Sequence, residues 1–225
     1  MGGTQAILKP RKSPVQARSA LTVEALHAAT IQVLIAEGLS RCTTTRIAER
    51  AGTSVGSLYQ YYPNRDALLA SVLEKHLAGV ADAVESTCRE YRGQPVSQMA
   101  SAFVSAFVRA KLRDVDEAKA LYAVAEERGG VILATRMRER IVGAVAAMLK
   151  SAPDACFDDP ASVATIALGA LLGPMQSLLK VHAPAAYEKH LERELVTLLT
   201  AYLRARQLNG ECAGGGVSCQ SSIIP

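Results

Sequence analysis

TTTRIAERAGTSVGSLYQYYPNRDALL, residues 43–69, is the stretch whose reading decides the fold. A hydroxyl at Thr43, Thr44 or Thr45 can accept from the orphan backbone N–H groups of a first helical turn. Ile47, Ala48 and Ala51 then make a short apolar stripe. Gly52 stands where a helix ends in a left-handed residue that glycine adopts without steric cost. Ser54 can cap a second short helix, in which Val55, Leu58 and Tyr62 recur at helical spacing. Pro63-Asn64-Arg65-Asp66 breaks that helix and opens a third. Helices this short are not stable by propensity alone and must pack on neighbours. The order is that of a helix-turn-helix, whose second helix can enter a DNA major groove. Spacing places Leu58 and Tyr62 on the core side of that helix.

The flanking sequence fits the same assignment. A helix preceded by Ser13-Pro14, with Leu26, Ala29, Val33 and Ala36 on one face, runs to Glu37 and is stopped by Gly38. From Asn64 an apolar pattern through Leu68, Leu69, Val72, Leu73, Leu77, Val80 and Val84 continues towards Tyr91. A helix of that length spans on the order of 40 Å. Beyond Arg92-Gly93-Gln94-Pro95 come five further helices. One runs from Pro95 to about Arg113, and a second is capped by Asp114 or Asp116 and stopped by Gly129-Gly130. A third runs from Val131 to about Lys150. After a Pro- and Asp-rich loop at 151–160, a nearly uncharged helix containing Pro174 and a final helix of about 185–206 complete the pattern. Pro174 should kink the first of that pair. No strand pattern, phosphate loop, nucleophile elbow or internal repeat is apparent.

Charge and cysteine usage narrow the function. The chain has 225 residues, 49% of them hydrophobic, and a net charge of +4. Residues 1–70 carry eight Lys or Arg against four acids, and the remainder carries seventeen of each sign. The whole excess thus lies beside the helix-turn-helix, as expected of a phosphate-binding end on a neutral body. Residues 1–12, with Lys9, Arg11 and Lys12, read as a disordered basic arm that can reach DNA or stay solvated. Residues 209–225, with Gly214-Gly215-Gly216, read as a flexible tail. The cysteines, Cys42, Cys88, Cys156, Cys212 and Cys219, are odd in number and form no CxxC, which favours reduced, idle thiols and a cytoplasmic chain. The four histidines show no ligand-pair spacing, so neither a metal nor another cofactor is expected. The apolar helix near 161–181 has the length of a membrane span; its small residues and lack of a basic flank favour a buried helix and no membrane partner.

With these residues read, the stretch from Leu21 to Leu69 closely resembles the DNA-binding domain of the tetracycline-repressor (TetR/AcrR) family. The carriers are residues 43–69 in register and the preceding helix ending Ala36-Glu37-Gly38. The remaining 150 or so residues resemble the family in layout only. The resemblance implies an all-α fold, with a helix-turn-helix domain over residues 13–66 and a helical ligand-binding and dimerisation domain over 67–208. It implies a non-enzymatic, homodimeric regulator, usually a repressor, that leaves a double-stranded DNA operator when a small-molecule effector binds. By position, DNA contacts fall on Thr44, Thr45, Arg46, Ser54, Val55, Gly56, Ser57, Tyr59, Gln60, Tyr61 and Arg65. The recognition helix departs from a guanine-reading pattern in having no Arg or Lys. An effector pocket would draw on Phe103, Phe107, Tyr122, Met137, Met148 and Met175, with Glu126 or His182 as polar anchors. The dimer face would draw on Val163, Ala167, Ala170, Leu171, Leu191, Leu195, Leu198 and Tyr202. Two other readings remain: a small-molecule-binding module without operator binding, and a DNA-binding activator without inducer.

Overall fold

The helix boundaries follow from side chains that satisfy the first turns. The computed structural model describes residues 17–180 and 185–207, and every regular element among them is helical. The predicted basic arm, the Ser13-Pro14 start and the glycine-rich tail lie outside the described residues. Helix α1 is Ala17–Glu37, and a short 3-10 turn at Leu39–Arg41 follows Gly38, whose φ is 77°. Of the three candidate threonines it is Thr43 that caps α2 (Thr44–Arg50), accepting from the Arg46 N–H. Gly52 turns the chain at a φ of 66°. Ser54 Oγ accepts from the Ser57 N–H at 3.0 Å and opens α3 (Val55–Tyr61). Asn64 Oδ1 accepts from the Ala67 N–H at 2.8 Å and opens the long α4 (Arg65–Glu90). Ile47, Leu58 and Tyr62 are buried with Leu26, Ala29 and Val33 of α1. Ala36, placed on the same stripe by its spacing, is exposed instead, since the stripe passes out of contact in the last turn of α1 before Gly38.

The larger end is built on α4. It packs against α5 (Val96–Lys111) and α7 (Arg128–Leu149), and α7 packs in turn on α8 (Pro160–Lys180). Helix α9 (Ala185–Arg206) lies against α5 and α8. Helix α6 (Val115–Ala125), capped by Asp114, touches α7 and α8 and also α1 and the 3-10 turn, so it bridges the two ends. Arg140 of α7 clasps Asp82 at 2.6 Å and Glu85 at 2.8 Å on α4. Pro174 lies within α8, which continues through it to Lys180. The spans Ser19–Glu37 and Pro160–Lys180 are long and apolar enough to cross a membrane by length and composition. Both are packed here against helices of the same body. Cys42 and Cys88 are buried free thiols, pushed up by burial to about 11 and about 12, and are unreactive on that account. Cys156 departs from the expectation of idle thiols: it is disulfide-bonded.

One helix stop was misplaced by the sequence pattern. Gly129 and Gly130 sit in the first turn of α7 rather than after α6. A Cβ on Gly130 would stand 2.5 Å from Ala125 Cα and 2.6 Å from the Val124 carbonyl oxygen, so glycine is required by close approach of two backbones. Gly143, in the middle of the same helix, is the opposite case, since a Cβ there meets nothing within 4 Å. Gly130→Ala is therefore expected to destabilise the protein by about 1–3 kcal/mol through overpacking. Gly143→Ala is expected to stabilise it by up to about 1 kcal/mol through helix propensity. Urea unfolding of the two variants checks the opposite signs.

Candidate nucleic-acid interface and effector cavity

Helix α3 is half sunk in the core, and its other half is the candidate interface. Leu58 is fully buried, while Tyr59 is 42% exposed and Gln60 is open to solvent beside it. Thr45, Arg46, Ser54 and Gly56 are also exposed; Thr44, Val55, Ser57, Tyr61 and Arg65 are half-buried. The eleven sequence-predicted residues thus all reach the surface of α2, α3 and the start of α4. Val55 and Tyr61 lean against the core, which leaves Tyr59 and Gln60 as the long side chains of α3 standing clear of it. The Thr44 and Tyr59 hydroxyls are 3.5 Å apart and join the two helices. Both arginines have carboxylate partners: Arg46 pairs with Glu37, and Arg65 Nε lies 3.1 Å from Asp66. Sequence reading missed the Glu37 pair, which depends on how α1 crosses α2.

A buried polar triangle fixes the orientation of α3. Tyr62 follows α3, and its hydroxyl is 2.8 Å from His27 Nε2 on α1 and 3.3 Å from Ser71 Oγ on α4. Ser71 Oγ closes the triangle at 3.2 Å from His27 Nε2. Burial lowers the His27 imidazole to about 4; the nearby Lys75 pushes the same way and Glu24 opposes. His27 is therefore neutral near pH 7, with Nδ1 buried and without a hydrogen-bond partner. Spacing put Tyr62 in the core, but nothing in the sequence pointed to partners 35 residues before and 9 residues after it.

A cavity of about 690 Å³ lies between α4, the end of α5, α6, α7 and α8. That is within the usual range for small-molecule pockets. Of the predicted pocket residues, Tyr122, Glu126, Met137 and Met175 line it. Phe103, Phe107 and Met148 do not. They are fully buried, and the two Phe rings pack on each other at 6.3 Å. His182 lies outside the described residues. The polar lining that sequence reading missed comprises His76, Lys111, Thr135, Arg138 and Gln176. His76 Nδ1 donates to Glu117 Oε1 at 3.0 Å, and burial holds the imidazole below its usual range. Glu126 pairs with Lys180 Nζ at 2.5 Å, and that ammonium stands 5.1 Å from the centre of the Tyr122 ring.

The predicted dimer residues divide unevenly. Val163, Ala167, Leu171, Leu191 and Leu195 are buried inside the single chain, where α8 and α9 meet the rest of the body. Leu198 is 49% exposed, and Ala170 and Tyr202 are half-buried. Ile166, 56% exposed on α8 one turn before Ala170, was absent from the sequence-based set.

Comparison with known proteins gives two family matches. Residues 26–72 match the model described as bacterial regulatory proteins, tetR family, and residues 95–203 match the tetracyclin repressor-like C-terminal domain. The nucleoid occlusion factor SlmA of Haemophilus ducreyi is 33% identical over 73 residues, which are 32% of this chain and 34% of that protein. The chain thus spans about a third of the length of that curated relative. A putative TetR-family transcriptional regulator from Mesorhizobium loti is similar with a TM-score of 0.65 at 19% identity, covering 86% of this chain and all of that one. SmeT, the repressor of the Stenotrophomonas maltophilia multidrug efflux pump SmeDEF, has a TM-score of 0.63 at 18% identity, covering 89% and 97%. Its triclosan complex scores 0.65 at 19% identity, covering 89% and 99%. At these identities the solved structures show the fold.

The triangle has a pH signature. As pH falls below 6.5 the unfolded chain takes up a proton at residue 27, while the folded chain resists until about 4. The stability tied to neutral His27 is complete above 6.5 and is lost between 6.5 and 4, by on the order of 3 kcal/mol. Urea unfolding of the wild type and of His27→Gln at pH 7.5 and pH 4.5 is expected to show the larger acid loss in the wild type. Equal losses would mean that residue 27 does not titrate as described.

Proposed function

The chain belongs to the tetR family of bacterial regulatory proteins, and from that premise we propose that it is a cytoplasmic, homodimeric repressor released from its operator by a small molecule. Residues 13–66 form the DNA-binding unit, and residues 67–208 bind the effector and the second copy. The observation that carries the reading is the pairing of Tyr59 and Gln60, which stand clear of the core, with Thr45 and Arg46 on the neighbouring helix. Gln60 suits an adenine edge, and Tyr59 suits a base edge or a phosphate oxygen. Gly56 keeps the helix thin where it meets the groove. Thr44, Ser57, Tyr61 and Arg65 flank this pair and suit phosphates, while Ser54 and Val55 sit at the leading end of the helix.

Two recognition helices must read two half-sites about 34 Å apart, which calls for a two-fold dimer. Ile166 and Leu198, exposed on adjacent helices, support a face on α8 and α9 for the second copy. The likeness to SmeT, a repressor solved with triclosan, supports the choice of a repressor with a small-molecule effector. Effector binding in the cavity would bias α4 towards a separation of recognition helices that does not fit the operator. A difference in affinity of a few kcal/mol between the two arrangements is enough.

Gel-shift assays on DNA flanking its own gene test the reading. Tyr59→Ala and Gln60→Ala are each expected to weaken specific binding by roughly 1–3 kcal/mol. Arg65→Ala is expected to weaken DNA binding across sequences by less than about 1 kcal/mol, because Asp66 already holds the guanidinium in the free protein. Absence of a protected site at low salt would refute operator binding altogether. The double variant Ile166→Glu/Leu198→Glu is expected to run as a monomer by light scattering, with its helical circular dichroism intact; a dimer of unchanged affinity would move the interface elsewhere.

A further inference from the structure

Lys111 is the last residue of α5, it is half-buried, and it lines the cavity. Glu126, the carboxylate on the lining, pairs with Lys180 at 2.5 Å, and Glu117 accepts from His76 at 3.0 Å. Among the described residues no carboxylate lies within ion-pair distance of Lys111, nor of Arg138, the other cation on the lining. Burial alone acts on the Lys111 ammonium, pulling it below its ordinary range. His76 adds a polar atom to the same wall: with Nδ1 held by Glu117, Nε2 is the nitrogen left for a ligand. The remaining wall is hydrocarbon, chiefly Leu73, Leu77, Leu121, Met137 and Met175.

We propose that the cavity takes an amphiphilic organic acid, with its carboxylate on Lys111 Nζ and its hydrocarbon body against the apolar wall. This rests on the reading of the cavity as the effector site and names the chemical class of the effector. The reasoning is one of desolvation. A neutral apolar ligand would strip the remaining water from Lys111 and return nothing to it, which is costly for a charge. A cationic ligand would add like-charge repulsion. A carboxylate instead gives a charge-assisted hydrogen bond in a partly dry setting, where such bonds are strongest. A lysine at the end of a helix can also be a solvated cation resting its stem on apolar surface, and in that case the headgroup of the ligand would not matter.

Isothermal titration of the purified full chain with decanoate, decanol and decyltrimethylammonium separates these cases. Decanoate is expected to bind about tenfold or more tightly than decanol, and the ammonium not at all. Lys111→Met is expected to bring decanoate down to the affinity of decanol without weakening decanol, and Lys111→Arg to keep the preference. Circular dichroism melting checks that both variants fold, and Lys111→Arg with the wild type carries the test if Lys111→Met does not. Equal binding of decanoate and decanol by the wild type overturns the acid assignment and leaves the cavity as a binding site. Binding of none of the three overturns both.

Discussion

The hydrogen-bonded triangle of Tyr62, His27 and Ser71 is the constraint on which the rest of the structure turns. It joins the residue that ends α3 to the first helix and to the long one. An apolar contact at that point would bury as well but would tolerate rotation of α3 about its axis. A hydroxyl placed between an imidazole and a second hydroxyl does not, because a buried donor or acceptor left unmade costs more than the bond contributes when made. The neutral state of His27 is part of the same device. Its imidazole is affordable inside only without its charge, and burial keeps it uncharged near pH 7.

Helix α4 carries that constraint into the larger end. Ser71 belongs to the triangle, and His76, five residues further on, belongs to the cavity wall; they are separated by about 7.5 Å along the axis. Further along, Asp82 and Glu85 are clasped by Arg140 of α7. One continuous helix is therefore held at its start by the interface, in its middle by the cavity and beyond that by a guanidinium fork. Helix α6 supplies a second route, since it lines the cavity with Leu121 and Tyr122 and also touches α1. Helix α4 is bonded to Tyr62 through Ser71, and α6 reaches the same triangle through its contact with α1.

What was legible in the sequence was local. The Ser54 cap, the helix opening at residues 63–66, the Gly38 and Gly52 turns and the burial of Ile47, Leu58 and Tyr62 are each encoded within a few residues, and they hold. Contacts made across the chain were not legible. Phe103 and Phe107 have the size and apolarity of pocket residues, and only three-dimensional packing distinguishes a ring that fills a core from one that faces a void. Lys111, at the end of a helix with Arg113 nearby, has the pattern of a solvated terminus; the cavity beside it is made by α6, α7 and α8. On α9, Leu191 and Leu195 turn inward with Leu199 and Leu203, while Leu198 turns out. A leucine repeat at spacings of three and four serves both faces, so periodicity alone could not divide them. Gly129-Gly130 looked like a stop because a close approach between helices leaves the same residue as a turn.

The electrostatics of the candidate interface then favour shape and neutral contacts over charge. Helix α3 carries no cation, and the two arginines beside it already have partners in Glu37 and Asp66. Exposed ion pairs contribute little, so a phosphate can replace either carboxylate at small cost. The gain is correspondingly small, because each exchange swaps one anion for another instead of neutralising a bare cation. What the candidate interface offers instead is shape: Tyr59 and Gln60 held at one angle beside a thin helix surface at Gly56. The triangle under Tyr62 sets that angle, so a hydrogen bond beneath the surface governs how the candidate interface is presented.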